Sequence, residues 1–336
     1  MPSLSDAERR RYARHLVLPG IGEAGQLRLR AARVLVVGAG GLGSPCLQYL
    51  AAAGVGRIGI VDPDRVSSSN LQRQVLYGES QLGQRKVDAA RDRLHDLNPL
   101  IRIDTYPVAF RRDNALALIA PYDIVVDGTD NFPTRYLVND ACVLAGKTNV
   151  YGSIFRYEGQ VAVFNAPLPD GRRGPNYRDL YPTPPPPGQV PNCAEGGVLG
   201  VLPGLIGSMQ ANEVIKLITG IGEPLIGRLA LLDAATLQWQ QLRFPARPDT
   251  RITALIDYEA FCGLPAREDI PALDVAAYQE MRNRGEKHLL LDVREPAEHE
   301  RDHLPGLLIP LDQLMTRLEE LPREETIIVY CQTGQR

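Results

Sequence analysis

Between an apolar, β-branched run at Arg33–Val37 and an apolar stretch that continues to about Ala53 lies Gly38-Ala39-Gly40-Gly41-Leu42-Gly43. A strand that enters a glycine-rich turn and opens a helix admits few architectures. Glycine lets the backbone turn tightly and lets a phosphate come close, and the helix N-terminus supplies unpaired N–H groups and the positive end of a dipole. Asp62 closes the next strand-like run, Arg57–Asp62, where a carboxylate is placed to accept hydrogen bonds from a ribose. On these residues alone a nicotinamide-dependent dehydrogenase remains open, beside other nucleotide-binding classes.

The pattern repeats down the chain. The spacing predicts helices at Gln81–Leu97, near Asn114–Ala120 and near Pro133–Ala145, alternating with strands at Ile101–Tyr106, Asp123–Asp127 and Asn149–Ser153. That alternation predicts an α/β fold with a doubly wound, mostly parallel sheet. A Pro-, Gly- and Arg-rich segment from Ala166 to Pro191 reads as a long functional loop. Beyond it, Val198–Ile218 is apolar enough to span a bilayer, but Gln210, Asn212, Glu213 and Lys216 within it argue for a buried helix of a water-soluble protein. Strands near Arg228–Asp233 and Leu237–Arg243 complete this part. A last unit holds a helix from about Ile270, strands His288–Asp292 and Thr326–Tyr330, and a helix near Gln313–Leu321. A length of 336 residues suits about two domains, here 1–245 and 271–336 with a linker at 246–270. The net charge of −3 gives no positive field for nucleic acid. Five scattered cysteines with no secretory signal predict reduced thiols, a cytoplasmic protein and no membrane association.

Ser69-Asn70-Leu71-Gln72-Arg73-Gln74 supplies amide and guanidinium donors, Lys86 starts the next helix region, and Asp127-Gly128-Thr129-Asp130-Asn131 ends the fourth strand. Two cations and a carboxylate at that edge suit a triphosphate with magnesium better than the pyrophosphate of a nicotinamide cofactor. Together with Arg11-Tyr12-Ala13-Arg14 and the Asp257–Gly263 stretch, these motifs resemble the ThiF/MoeB family, the prokaryotic relatives of ubiquitin-activating enzymes, over about residues 8 to 263. The run Asn176–Pro182 with Pro184–Gly188 is similar to adenylyltransferase/sulfurtransferases of the MoeZ type. The resemblance implies a Rossmann-like ATP site formed by Gly38, Gly40, Gly41, Leu42, Gly43, Asp62, Ser69, Asn70, Arg73, Lys86, Asp130 and Asn131, with Asp130 holding Mg²⁺. It further implies a homodimer in which Arg14 reaches the phosphates of the other subunit. The partner it implies is a ubiquitin-like sulfur carrier ending in Gly-Gly, adenylated at its terminal carboxylate and then converted to a thiocarboxylate. Many relatives carry two Cys-x-x-Cys pairs around a structural zinc. Asn176 and Asp179 stand at the first pair's place and nothing near Pro248–Arg251 supplies the second, so no structural zinc is expected.

Two thiols bear on sulfur. Cys193, where the long loop enters a helix, is placed either as a nucleophile of depressed pKa or as a structural thiol. Val293-Arg294-Glu295-Pro296, His303-Leu304-Pro305-Gly306 and Tyr330-Cys331-Gln332-Thr333-Gly334-Gln335-Arg336 resemble a rhodanese sulfurtransferase domain, with Asp302 where a glycine is common. The resemblance implies that Cys331 carries sulfur from a donor the sequence does not identify, in a loop whose backbone N–H groups face the thiolate. The chain stops inside that loop, so the last unit is expected to be poorly closed. Cys46 and Cys142 are expected in the core, and Cys262 is undecided. A non-catalytic docking protein for sulfur carriers is the remaining alternative, opposed by the retention of Arg14, Asn70, Arg73, Lys86 and Asp130.

Overall fold

A computed structural model of the chain describes residues 3–186, 197–263, 272–311 and 313–331. It separates into two compact units, Met1–Ala266 and Arg267–Arg336. The first unit opens with helices α1 (Asp6–Arg11), α2 (Ala13–Leu16) and α3 (Gly22–Ala31). Next come β1 (Arg33–Val37), α4 (Gly43–Ala53), β2 (Arg57–Val61), α5 (Lys86–Leu97), β3 (Arg102–Tyr106), α6 (Ala115–Ile119), β4 (Ile124–Asp127) and α7 (Phe132–Leu144). The unit continues through β5 (Thr148–Phe155), β6 (Glu158–Phe164), α8 (Tyr177–Leu180), α9 (Leu202–Thr219), β7 (Arg228–Asp233) and β8 (Gln238–Arg243).

These strands form one sheet in the order β3-β2-β1-β4-β5-β6-β7-β8. The first five run parallel, in registers such as Leu35↔Gly59 and Leu35↔Val125, and the last three are antiparallel. The period of two in a strand divides β1 between two cores. Val34 and Val36 join Leu47, Leu50 and Ile58 on one face, whereas Leu35 and Val37 join Ile119, Tyr122 and Val125 on the other. The chain departs from β1 to β2 on one side and later returns to β4 on the other. A crevice therefore opens at the carboxyl ends of β1 and β4, the place where open α/β sheets bind ligands.

Helix α9 packs on one face of the sheet, against β5, β6 and α4. It is buried along most of its length, as its polar residues predict for a helix packed in protein, and Gln210 inside it donates to the carbonyls of Asp127 (2.7 Å) and Val150 (3.2 Å). Among the described residues no helix is long and apolar enough to cross a membrane. Several predicted elements shift. The helix expected from Gln81 begins at Lys86, because Gly83 turns at φ +80° and residues 83 and 84 exchange backbone hydrogen bonds with Val66. Strand β6 was not expected; it pairs along β5 from Asn149↔Phe164 to Phe155↔Glu158. Helix α3, buried at Gly25, Gln26 and Leu29, was also missed.

Asn176 and Asp179 form a clasp. Asp179 is buried and accepts from the backbone N–H of Asn176 (2.7 Å), its side-chain amide (2.8 Å) and, 68 residues on, the N–H of Arg247 (2.9 Å). Beside it Arg178 pairs bidentately with Asp140 at 2.8 and 2.7 Å, and Asp140 also accepts from the Tyr258 hydroxyl. Asp179→Ala would strand three donors, so it is expected to destabilise the first unit by about 2 kcal/mol or more in denaturant unfolding. Dialysis against a chelator is expected to leave the same transition unmoved.

The second unit has a parallel sheet of order β10-β9-β11, from β9 (His288–Asp292), β10 (Leu307–Leu308) and β11 (Thr326–Tyr330). Helices at Val275–Asn283 and Pro296–Arg301 precede and follow β9. The helix expected at Gln313–Leu321 is instead two short 3₁₀ turns, Leu314–Thr316 and Leu318–Glu320.

Candidate active site

The crevice holds a cavity of about 330 Å³, within the range of small-molecule sites. Its floor is the glycine loop. Gly38 needs its left-handed φ of +94°, since a Cβ there would sit 2.8 Å from the Gly128 carbonyl. Gly43 packs so closely on the Gly38 carbonyl that any side chain would collide with it. Gly40, Gly41 and Leu42 face the cavity, but Gly43 serves the turn and does not line it.

Asp62 anchors this loop. Its carboxylate accepts from Ala39 N–H (2.8 Å) and from Asp64 N–H (2.8 Å), and it faces the cavity. Burial pushes its carboxyl above the ordinary range, opposed by the nearby Lys86 ammonium. Lys86 is the first residue of α5 and almost fully buried; its ammonium is held 2.9 Å from Asp64 at the cavity wall. Arg73 reaches the cavity from a turn whose shape depends on Ser69 and Asn70. The Ser69 carbonyl accepts from the Arg73 guanidinium, and the Asn70 carbonyl accepts from the N–H groups of Arg73 and Gln74. Ser69 and Asn70 themselves do not line the cavity.

Across from these cations, Asp130 and Asn131 sit where β4 passes into α7. Asn131 caps that helix by accepting from Thr134 N–H at 3.0 Å. Asp130 is exposed, and among the described residues its one hydrogen-bond contact is the Asn131 amide at 3.5 Å. A carboxylate so little engaged, lining the same cavity as Arg73 and Lys86, fits a hard cation carrying phosphate oxygens. Arg14, exposed on α2, does not line this cavity. Cys193 lies outside the described residues.

Among the lining residues not assigned to the site from the sequence are Asp64, Gln74, Phe110 and Arg135. Gln74 carried a signal, since it belongs to the segment that gave Arg73; Phe110 follows β3 in a loop with no pattern to mark it, and Arg135 lies beyond the Asp127–Asn131 segment.

In the second unit Asp292 is fully buried at the end of β9 and accepts from Arg294, the Tyr330 hydroxyl (2.8 Å) and the His299 ring at 2.9 Å. Burial works against its charge, but these bonds outweigh it and hold the carboxyl far below the usual carboxylate range. The network pins Tyr330, the last residue of β11, so half-buried Cys331 leaves the sheet from a fixed point. Asp302 has extended backbone at φ −165°, where no glycine is required, and its carbonyl accepts from Arg294 at 2.8 Å. Residues 332–336 of the cysteine loop lie outside the described residues. Cys46 and Cys142 are fully buried, as expected, and Cys262 is buried too.

A doubly wound sheet whose switch point joins a glycine loop to basic and acidic side chains defines a nucleotide-binding protein. Residues 12–254 match the model of the ThiF family and residues 274–336 that of the rhodanese-like domain, and the chain belongs to the ThiF family. It is similar to the probable adenylyltransferase/sulfurtransferase MoeZ of Mycobacterium tuberculosis, with 51% identity over 99% of this chain and 87% of that protein. The sulfur carrier protein adenylyltransferase of Thermus thermophilus is 54% identical over 76% of this chain and 96% of its own length. Escherichia coli MccB with MccA-N7isoASN shares the fold at a TM-score of 0.64 and 22% identity, covering 74% of this chain and 75% of that one. The chain is thus an ATP-using adenylyltransferase with a rhodanese-like sulfurtransferase domain, and the dehydrogenase and docking-protein readings fall away.

Proposed function

We propose that the chain adenylates the C-terminal glycine of a ubiquitin-like sulfur carrier ending in Gly-Gly, and that the adenylate is then converted to a thiocarboxylate. Adenylation is assigned to residues 1–245 and sulfur transfer to 271–336, joined by the linker 246–270, in a cytoplasmic protein. The observation that carries the reading is the gathering of Arg73, Lys86 and Asp130 around one glycine-floored cavity. A carboxylate oxygen of the carrier attacks the α-phosphorus of ATP, the new O–P bond forms, the bond to the β-phosphate oxygen breaks, and pyrophosphate leaves. Negative charge builds on phosphoryl oxygens during this step. Arg73, Lys86 and the N–H groups of the glycine loop, which line this cavity, would stabilise that charge as it develops. Asp130, little engaged by other groups, would hold Mg²⁺, which neutralises phosphate charge when bound. Purified protein mixed with ATP and candidate carriers tests the reading by mass spectrometry: an adenylate-sized mass gain on a Gly-Gly carrier supports it, and its absence on every carrier refutes it.

The same reading makes the protein a homodimer with Arg14 acting in trans, because Arg14 is exposed and lines no part of its own subunit's cavity. Mixing inactive Arg14→Ala with inactive Asp130→Ala is then expected to restore part of the activity, since one of the two hybrid sites keeps both residues. Subunit exchange without recovery would rule out the shared site.

A further inference from the structure

The order of the strands fixes the order of functions along the cavity. Phe110 follows β3 and Asp62 follows β2, the glycine loop follows β1, and Gly128 and Ile154 belong to the β4 and β5 side. The ribose-binding carboxylate and an aromatic wall therefore lie at one end, and the phosphate-binding loop lies in the middle. Whatever attacks the α-phosphorus has the β4–β5 end left to it. Ile154 and Val198 line the cavity there, and so does the buried cation Arg135.

Arg135 is 7% exposed and sits one turn into α7, next to the Asp127–Asn131 turn. Its guanidinium lies 5.3 Å from the Tyr151 ring centre and 5.4 Å from that of Phe132. One of its N–H groups reaches the Thr129 carbonyl at 3.3 Å, while Nε, enclosed by protein, has no hydrogen-bond partner among the described residues. Burial alone would weaken the guanidinium's hold on its proton, but Tyr151, Tyr177 and the Asp127 carboxylate more than reverse that, so the group stays charged. Arg135 and Asp127 are opposite charges buried together, each keeping one enclosed atom without a partner among the described residues, and since Arg135 also lines the cavity an anion entering there meets a cation already in place.

We propose that Arg135 receives the C-terminal carboxylate of the protein to be adenylated and holds it at the β4–β5 end of the cavity. This rests on the adenylation reading above and gives its acceptor end a residue. A carboxylate approaching a triphosphate is repelled by it, and a fixed guanidinium offsets that repulsion while its planar fork sets the direction of attack. Arg135 stays protonated throughout; the carboxylate alone forms the new bond to phosphorus as pyrophosphate departs.

A fluorescently labelled short peptide ending in Gly-Gly, prepared as the free acid and as the C-terminal amide, tests the assignment by anisotropy. It is titrated into the full chain saturated with a non-hydrolysable ATP analogue. The free acid is expected to bind about tenfold more tightly than the amide, the gain typical of a hydrogen bond to a charged group. In Arg135→Gln that preference falls below about twofold while the affinity for the ATP analogue is unchanged. Equal binding of acid and amide to the unaltered protein, or a full preference in Arg135→Gln, overturns the proposal. So does a parallel loss of the ATP analogue, which would make Arg135 only a strut for the Asp127–Asn131 turn. Should Arg135→Gln not fold, Arg135→Lys decides, because loss of the fork must reduce the preference at least about threefold and an unaltered preference refutes the assignment. Carrier adenylation is scored separately: an acid preference without adenylation keeps the subsite and sinks the functional reading, and adenylation without an acid preference does the reverse.

Discussion

Asp130→Ala is expected to lower carrier-dependent exchange of labelled pyrophosphate into ATP by roughly a hundredfold or more, the usual cost of removing one fixed group that stabilises transition-state charge. The geometry makes this a clean experiment. Asp130 is exposed and among the described residues hydrogen-bonds only with the Asn131 amide at 3.5 Å, so its removal strands no buried donor there and leaves the α7 cap intact, because Thr134 N–H bonds to Asn131. Stability should therefore stay within about 0.5 kcal/mol, as for other surface substitutions away from structural features. ATP binding should survive in part, since Arg73, Lys86 and the glycine loop remain. A defect confined to the rate, in a protein that melts normally, would place Asp130 at the reacting phosphate. Undiminished exchange would remove it from the site.

Much of this was legible in the residues, and the parts that were not have physical causes. The core strands were readable because strands buried on both faces are continuous apolar runs, and β1, β4 and β7 fall within a residue of their expected bounds. The chemistry at the strand ends was readable because glycines, Arg73, Lys86 and Asp130 cluster at three turns, and the topology that brings those turns together follows from β-α-β order. Strand β6 was missed because its pairing partner is a hairpin neighbour joined through Arg156 at φ +53°, with no glycine or proline in the turn to announce it. The start of α5 was misjudged because residues 81–85 have helix-compatible chemistry, while tertiary hydrogen bonds to Val66 hold them out of a helix. Arg135 escaped notice for a related reason: an arginine one turn inside a helix reads as solvated, and only the packing of Tyr151 and Phe132 around it shows otherwise.

The largest effect expected in the second half of the reaction comes from Cys331. Its replacement by alanine should abolish thiocarboxylate formation on the carrier, followed by mass spectrometry with thiosulfate as sulfur donor and a thiol reductant present, while leaving pyrophosphate exchange unchanged. Cys331 leaves the end of β11 immediately after Tyr330, and Tyr330 is tied to the buried Asp292, whose other partners are Arg294 and His299. That anchoring gives the thiol a fixed origin at a strand end, the setting in which a curled loop can direct N–H groups at sulfur and favour the thiolate. Adenylation takes place in the other unit and needs no thiol, because the attacking atom is the carrier's own carboxylate oxygen. Cys193 stands apart from both. It lies outside the described residues, and the attack of a carboxylate on phosphorus has no step for it. Cys193→Ala should therefore leave pyrophosphate exchange at its full rate and at most slow the appearance of thiocarboxylate. Loss of exchange in Cys193→Ala, in protein that still melts like the unaltered chain, would mean that a thiol takes part in adenylation and that the two units do not divide the reaction as proposed.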